Sequence, residues 1–336
     1  MSWRRTPITS HIRTWTTLAA NERANRAILF PGQGSQFVGM GKDLYEMYPR
    51  SAKLVFDEAD EAVGGGLKSL TFEGDQGKLK LTENAQPAIL TTSIAMLKVL
   101  EIDFGLDIAK HCKYALGHSL GEYTALVATG ALGLADGVRL VRLRGKEMQQ
   151  AVADRHGQTA MSALVVRKAK LSDLEKAIRE INAELPIGEL VQLANVNSSA
   201  QVVITNALQQ EQLICLSRRA PFHCSLVQDA ADAMQEAFTK IPFKEPCINV
   251  ISNVTARPYD SVDEIAPLLV KQVTSTVEWH RSIEYCKDQN VNEFICFGPG
   301  KVLANLLKKE HPLDKIRAIT SADDILHHAK EFQQRY

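Results

Sequence analysis

The sequence predicts an α/β protein, a large unit built on parallel strands and interrupted by a small inserted one. Three observations carry this. Two short apolar runs, Arg26–Phe30 and 114–116, each stop at a glycine-bearing turn and feed a segment able to form a helix, which is the pattern of a β-loop-α unit. From Thr159 the texture changes to strand, helix, strand pair and helix, a split βαβ arrangement. The chain of 336 residues, 45% hydrophobic and 23% charged, can bury a core without disulfides, and its length suits two domains or one large domain with an insertion.

In order, Arg26–Phe30 reads as a buried strand stopped by Pro31-Gly32-Gln33-Gly34-Ser35, and 37–48 as an amphipathic segment. Residues 55–63 read as a helix closed by Gly64-Gly65-Gly66. A helix over 88–99 follows, with Pro87 in its first turn, where the missing N–H is harmless. Residues 114–116 form the second buried strand, and 122–128 and 137–152 read as helices. The small unit runs from a strand at 160–166 through a helix at 171–185, with Leu174, Ile178 and Ile181 on one face. A strand pair at 191–196 and 201–204 and a helix at 207–218 complete it. After a return at 220–223 come a helix around 230–238, short strands at 248–253 and Glu293–Phe297, and a late helix from 304–309.

Composition excludes several classes. Lys plus Arg and Asp plus Glu both total 39, so no net field draws nucleic acid to the whole surface, and any anion site must be local. The six cysteines contain no Cys-x-x-Cys pair and read as reduced thiols. No run approaches the ~20 uninterrupted apolar residues that cross a bilayer, so a soluble protein without membrane insertion is expected. Residues 1–21 hold no acid, while Arg4, Arg5 and Arg13 alternate with serines, threonines and scattered apolar residues. That is the composition of a mitochondrial presequence, the alternative being the tail of a cytoplasmic protein.

Gly117-His118-Ser119-Leu120-Gly121 lies between a strand and a helix, which is the context of a nucleophile elbow, with Ser119 at a helix N-terminus. A serine needs a base, and among nine histidines His223 is the first choice from spacing, following Ala-Pro-Phe where the chain leaves the small unit. His118 adjoins the serine and takes a structural or substrate-facing role. The Gln33-Gly34 turn can offer an N–H opposite that of Leu120, the two forming an oxyanion hole. Gly32-Gln33-Gly34 lacks the third glycine of a dinucleotide loop, and Gly41-Lys42 is followed by Asp43 where a phosphate loop needs Ser or Thr. Arg144 shares a helical face with Val141, Met148 and Val152. A guanidinium there is held by an internal salt bridge, snorkels to the surface, or awaits a carboxylate-bearing substrate.

The segments Phe30-Pro-Gly-Gln-Gly-Ser-Gln36, Gln86-Pro-Ala, Gly117-His-Ser-Leu-Gly-Glu-Tyr123, Arg144-Gly-Lys-Glu-Met148, Asn195-Val-Asn-Ser198, Phe222-His223 and Gly298-Pro-Gly-Lys-Val-Leu303 together resemble the malonyl-CoA:acyl carrier protein transacylases, over roughly 26–310. The resemblance implies an α/β-hydrolase-like catalytic domain (26–154 and 220–336) interrupted by a ferredoxin-like one (155–219), while composition reads 1–25 as presequence or tail, an extension in which the chain departs from bacterial members. It implies Ser119 as nucleophile, His223 as base, the amides of Gln33 and Leu120 as oxyanion donors, and Gln272 as the residue whose main-chain carbonyl orients the histidine. Arg144 is implied as the clamp on the malonyl carboxylate, with Gln86, His118, Asn195 and Phe222 lining the substrate site. No metal or cofactor is expected, the substrates being malonyl-CoA and the phosphopantetheine arm of acyl carrier protein, and a monomer is expected. Lys301, Lys308, Lys309, Arg218 and Arg219 are candidates for receiving the acidic carrier. A serine esterase or thioesterase and a non-catalytic acyl-binding module are the rival readings.

Overall fold

The computed structural model describes residues 25–151, 159–166, 171–186, 189–207 and 222–333. Of the helix expected at 207–218, Ala207 instead ends a strand and the rest, with Arg218 and Arg219, falls outside the described residues, as do 1–24. The first half runs β1 (Arg26–Phe30), α1 (Lys42–Met47), α2 (Ala52–Ala62), α3 (Leu67–Glu73), α4 (Gln76–Lys80), α5 (Thr82–Ile102), α6 (Ile108–His111), β2 (Tyr114–Gly117), α7 (Leu120–Ala128) and α8 (Leu134–Gln150). Next come β3 (Thr159–Val165), α9 (Leu171–Glu184), β4 (Leu190–Ser198) and β5 (Gln201–Ala207). The remainder is α10 (Gln228–Phe238), β6 (Asn249–Val250), α11 (Ile265–Thr274), α12 (Trp279–Asp288), β7 (Glu293–Phe297), α13 (Val302–Glu310), β8 (Lys315–Ile319) and α14 (Ala322–Gln333).

Five strands form a parallel sheet in the order β6-β2-β1-β7-β8, and three form an antiparallel sheet in the order β3-β5-β4. Every residue of β1, β2 and β7 is buried, as expected where helices cover both faces of a parallel sheet. β1 and β2 pair with Phe30 opposite Gly117, which sets the loops that follow them side by side at the carboxyl edge. The antiparallel sheet packs its own apolar cluster under α9, through Leu174 and Ile178 among others. Ile181, expected on that face, is 47% exposed. β4 is fastened to the larger sheet's helices: Val196 N–H and the Val277 carbonyl, and Val277 N–H and the Ala194 carbonyl, bond just before α12.

Two expectations are corrected. Helix α5 starts at Thr82, so Pro87 is its sixth residue rather than in its first turn, and the Glu83 carbonyl loses its usual donor. The strand expected at 248–253 is only Asn249–Val250, because the chain turns back at Ser252, whose N–H bonds the Arg257 carbonyl. Helix α5 is also long and apolar enough to cross a membrane, yet 83% of its apolar window is buried inside the protein, at the centre of the main core.

Candidate active site

Strand β2 ends at Gly117 and helix α7 begins at Leu120, so the chain must reverse within two residues. Ser119 does this at φ 54° and ψ −105°, a strained left-handed conformation. The flanking glycines are required by contact. A Cβ on Gly117 would lie 1.8 Å from the Gly121 carbonyl carbon, and one on Gly121 would lie 2.3 Å from the Phe30 carbonyl oxygen. Asn253 pins the turn from the far side, its Oδ1 accepting from the Ser119 N–H at 2.7 Å and its Nδ2 donating to the Gly117 carbonyl at 2.7 Å.

Leu120 is the first helical residue, so its N–H has no intrahelical carbonyl to reach. The loop after β1 crosses this turn so closely that a Cβ on Gly32 would sit 2.7 Å from the His118 carbonyl oxygen. Gln33 lies in that loop, its side chain donating to Thr82 Oγ1 at 3.2 Å. The two expected oxyanion donors therefore belong to adjacent loops at one sheet edge.

His223, only 3% exposed, also takes a positive φ of 57°. Its Nε2 lies 2.7 Å from Ser119 Oγ and its Nδ1 2.9 Å from the Gln272 carbonyl. A carbonyl only accepts, so Nδ1 carries the proton and Nε2 is left to accept from the serine O–H. Burial first, then the nearby Arg144 charge, pushes the imidazole down to about 3. At neutral pH it is an uncharged base.

Arg144 lies on α8, 1% exposed. Nη1 donates to Gln86 Oε1 at 3.0 Å, while Nη2 donates to Gln272 Oε1 at 2.9 Å and to Ser119 Oγ at 3.1 Å. Its guanidinium carbon stands 5.6 Å from the centre of the Tyr123 ring, and among the described residues its buried Nε has no acceptor. All its hydrogen-bond partners are neutral, and it neither snorkels nor forms the internal salt bridge that periodicity left open. Burial lowers its pKa, yet a guanidinium keeps its proton at any ordinary pH.

Sequence reasoning missed the layer beneath. Glu122, fully buried, accepts from Gln272 Nε2 at 2.7 Å, from the Asn253 N–H at 3.1 Å and from the Tyr259 hydroxyl. Burial pushes this carboxyl up to about 7 against those donors. Gln272 Nε2 donates also to the Ser119 carbonyl at 2.9 Å. Asn253 and Tyr259 lie more than 130 residues from their partners on the elbow, with no local signal to find them.

The other expected residues are placed as follows. His118 Nε2 lies 2.9 Å from Asn197 Oδ1, with its ring 5.6 Å from that of Trp279, and burial lowers its pKa. Asn195 is buried in β4 beside Val277, so the β4 asparagine that reaches His118 is Asn197. Phe222 is half-buried against the main core, its N–H on Met161 Sδ at 3.4 Å. Lys301, Lys308 and Lys309 are exposed at opposite ends of α13, with Lys301 following the Gly300 that approaches Ser35. Cys112 and Cys296 are buried, and burial pushes both thiols up to about 12, far from nucleophilic use.

A strained serine at a helix N-terminus, bonded to a neutral imidazole and flanked by a buried cation, is equipped for acyl transfer through a serine ester. Residues 28–310 match the family model described as acyl transferase domain. The chain is 42% identical, over 89% of its length and 94% of the relative's, to the malonyl CoA-acyl carrier protein transacylase of Bacillus subtilis strain 168. It superposes with a TM-score of 0.83 and 36% identity on the acyl-carrier-protein-S-malonyltransferase of Bartonella henselae, covering 92% of this chain and 99% of that one. A malonyl-transacylase solved in complex with its type II PKS acyl-carrier protein matches at TM-score 0.81 and 31% identity, over 91% of this chain and 99% of that one. The chain belongs to the acyl transferase family, within its malonyl CoA-acyl carrier protein transacylase group.

Proposed function

We propose that this protein moves a malonyl group from malonyl-CoA to the phosphopantetheine thiol of an acyl carrier protein, supplying fatty acid synthesis. The observation that carries the reading is Arg144, a buried cation bonded to the reactive serine and to neutral groups alone. A buried charge of that kind is costly without an anion, and its planar fork fits a carboxylate bidentately. A malonyl thioester carries such a carboxylate one carbon from its reactive carbonyl, and Arg144 Nη2 lies 3.1 Å from Ser119 Oγ.

Ser119 Oγ attacks the thioester carbonyl while His223 Nε2 takes its proton, and the N–H groups of Gln33 and Leu120 receive the developing oxyanion. The C–S bond breaks and the CoA thiolate leaves with the proton from His223. The malonyl-serine ester then meets the carrier's thiol, whose proton passes to His223 as sulfur attacks, and Ser119 recovers it on release. Arg144 Nη2 turns from Ser119 Oγ to the malonyl carboxylate when substrate enters, which frees the nucleophile. This chemistry requires no metal or redox cofactor.

The same reading treats 26–154 and 220–336 as an α/β-hydrolase-like catalytic domain and 155–219 as a ferredoxin-like insertion, acting as a monomer. Lys301, Lys308 and Lys309 receive the acidic carrier, with Arg218 and Arg219. The acid-free, arginine-bearing composition of 1–21 supports import into the mitochondrial matrix, which a reporter fused to 1–30 tests against a diffuse cytosolic signal.

Intact mass after mixing with malonyl-CoA, then with holo carrier protein, tests the transfer. A malonyl adduct forms, moves to the carrier, and is absent in Ser119→Ala. Release of the group to water at the same rate without carrier makes the protein an esterase instead.

A further inference from the structure

We propose, building on the acyl-transfer reading, that Glu122 is a positioning residue: by anchoring the Gln272 side chain it holds the His223 base and the Arg144 cation as one unit. Gln272 touches every working part. Its carbonyl accepts from His223 Nδ1, its Oε1 accepts from Arg144 Nη2, and its Nε2 donates to the Ser119 carbonyl and to Glu122. An amide side chain is nearly symmetric in shape, so its partners alone decide which end faces which. A guanidinium only donates and a carboxylate only accepts. Glu122 therefore fixes Gln272 with its NH2 group inward and its oxygen toward Arg144.

The arrangement also answers a charge problem. A carboxylate bonded directly to Arg144 would occupy the fork that a substrate carboxylate needs. Set one amide away, Glu122 supplies a counter-charge through a polarised hydrogen-bond chain and leaves the guanidinium open on its substrate side. The titratable and charged groups facing Glu122 are Tyr123 on its own helix, Arg144 on α8 and Tyr259 after β6. The Tyr259 hydroxyl and the Asn253 and Gln272 N–H groups all donate to it, so hydrogen bonding supports the ionised form against the burial that disfavours it. With His223 pushed down to about 3 and Glu122 up to about 7, an acid limb near neutrality belongs to Glu122 and not to the base.

The test is the rate of malonyl loading onto Ser119 from malonyl-CoA between pH 5 and 9, followed by intact mass, with acetyl-CoA in parallel. Wild-type loading falls as pH drops through about 7. Glu122→Gln keeps one acceptor oxygen but removes the charge and the acceptor-only character that fixes Gln272. The Gln272 amide is then no longer held in one orientation, loading slows by about 10²-fold, the scale of a misplacement near 1 Å, and the acid limb disappears. Its preference for malonyl over acetyl falls as well. Tyr259→Phe removes one donor to the carboxylate and shifts the limb to higher pH, a change that a merely structural role would not produce. Wild-type rate, preference and limb in Glu122→Gln overturn the proposal, and if that variant does not fold, an unmoved limb in Tyr259→Phe overturns it. Wild-type protein that never acquires malonyl refutes the acyl-transfer reading itself, whereas loading that both variants leave unaltered refutes only the role of Glu122.

Discussion

Guanidinium groups are buried toward both edges of the parallel sheet, in two different surroundings. Toward the amino edge, Arg26 and Arg317 are 5% and 6% exposed and close on Glu293 at 2.6 and 2.8 Å. At the carboxyl edge Arg144 is 1% exposed and meets two amide oxygens and a hydroxyl. The first cluster brings its own anion, so it fastens β1, β7 and β8 to one another. The second leaves a cation to be answered from outside, beside a serine under backbone strain. Burial alone thus does not separate structure from function, whereas the charge of the partner does.

Exchanging the cation on each side breaks this comparison if it is wrong. Arg144→Met keeps an apolar stem of similar volume and removes the charge. Its preference for malonyl-CoA over acetyl-CoA, measured by adduct formation, drops by a factor on the order of 10⁴, as for a site that loses its designed polar partner. Its unfolding free energy in urea stays within about 1 kcal/mol of wild type, because the lost hydrogen bonds are offset by the removal of a buried charge that no carboxylate bonds directly. A large loss of stability with preference intact would make Arg144 a fastening too. Glu293→Gln should do the reverse, because it removes the buried carboxylate on which two buried guanidinium groups close. It destabilises by about 3–5 kcal/mol in the same urea titration, with malonyl loading per folded molecule unchanged.

The amino acid pattern reveals these two edges unequally. Strands β1 and β7 are legible to the residue because parallel strands covered on both faces are apolar throughout. Strand β8, Lys315–Ile319, escapes notice because Lys315 and Arg317 interrupt it, and Arg317 is the residue that its ion pair buries. The start of α5 is misread because Pro87 suggests a first turn. Its true first turn is held by packing on α8, where a Cβ on Gly145 would lie 2.5 Å from the Thr82 carbonyl oxygen. Ser119 is legible from five adjacent residues, and the burial of Arg144 from helical period. Glu122 stands inside that same motif, yet its use depends on Gln272, Asn253 and Tyr259 arriving from far along the chain. Such contacts have no period and leave no local mark. Ile181 errs the other way: it fits the apolar face of α9, yet it is 47% exposed and lies outside the cluster that Leu174, Ile178 and Leu185 join.

The smallest effect separates the two edges by pH. Burial alone would raise the Glu293 carboxyl, but bonding to Arg26 and the charges of Arg26, Arg317 and Lys315 outweigh it and hold the group below the ordinary glutamate value of 4.5. A folded-state value below the unfolded one means that the unfolded chain binds the proton first as pH falls. The stabilisation from Glu293 is therefore complete above about pH 5, begins to shrink near 4.5, and is gone once the folded carboxyl protonates. His223 and Glu122 titrate in overlapping ranges with opposite signs, the first weakening the fold as pH falls below its unfolded value and the second weakening it as pH rises toward 7. Subtracting Glu293→Gln from wild type cancels both, since each is present in both proteins. The difference in urea unfolding free energy should be flat from pH 5 to 8 and narrow steadily below 4.5. A gap that stays constant down to pH 3 would mean that the amino-edge cluster gains nothing from the glutamate charge, and the distinction from Arg144 would have to rest on hydrogen-bond geometry instead.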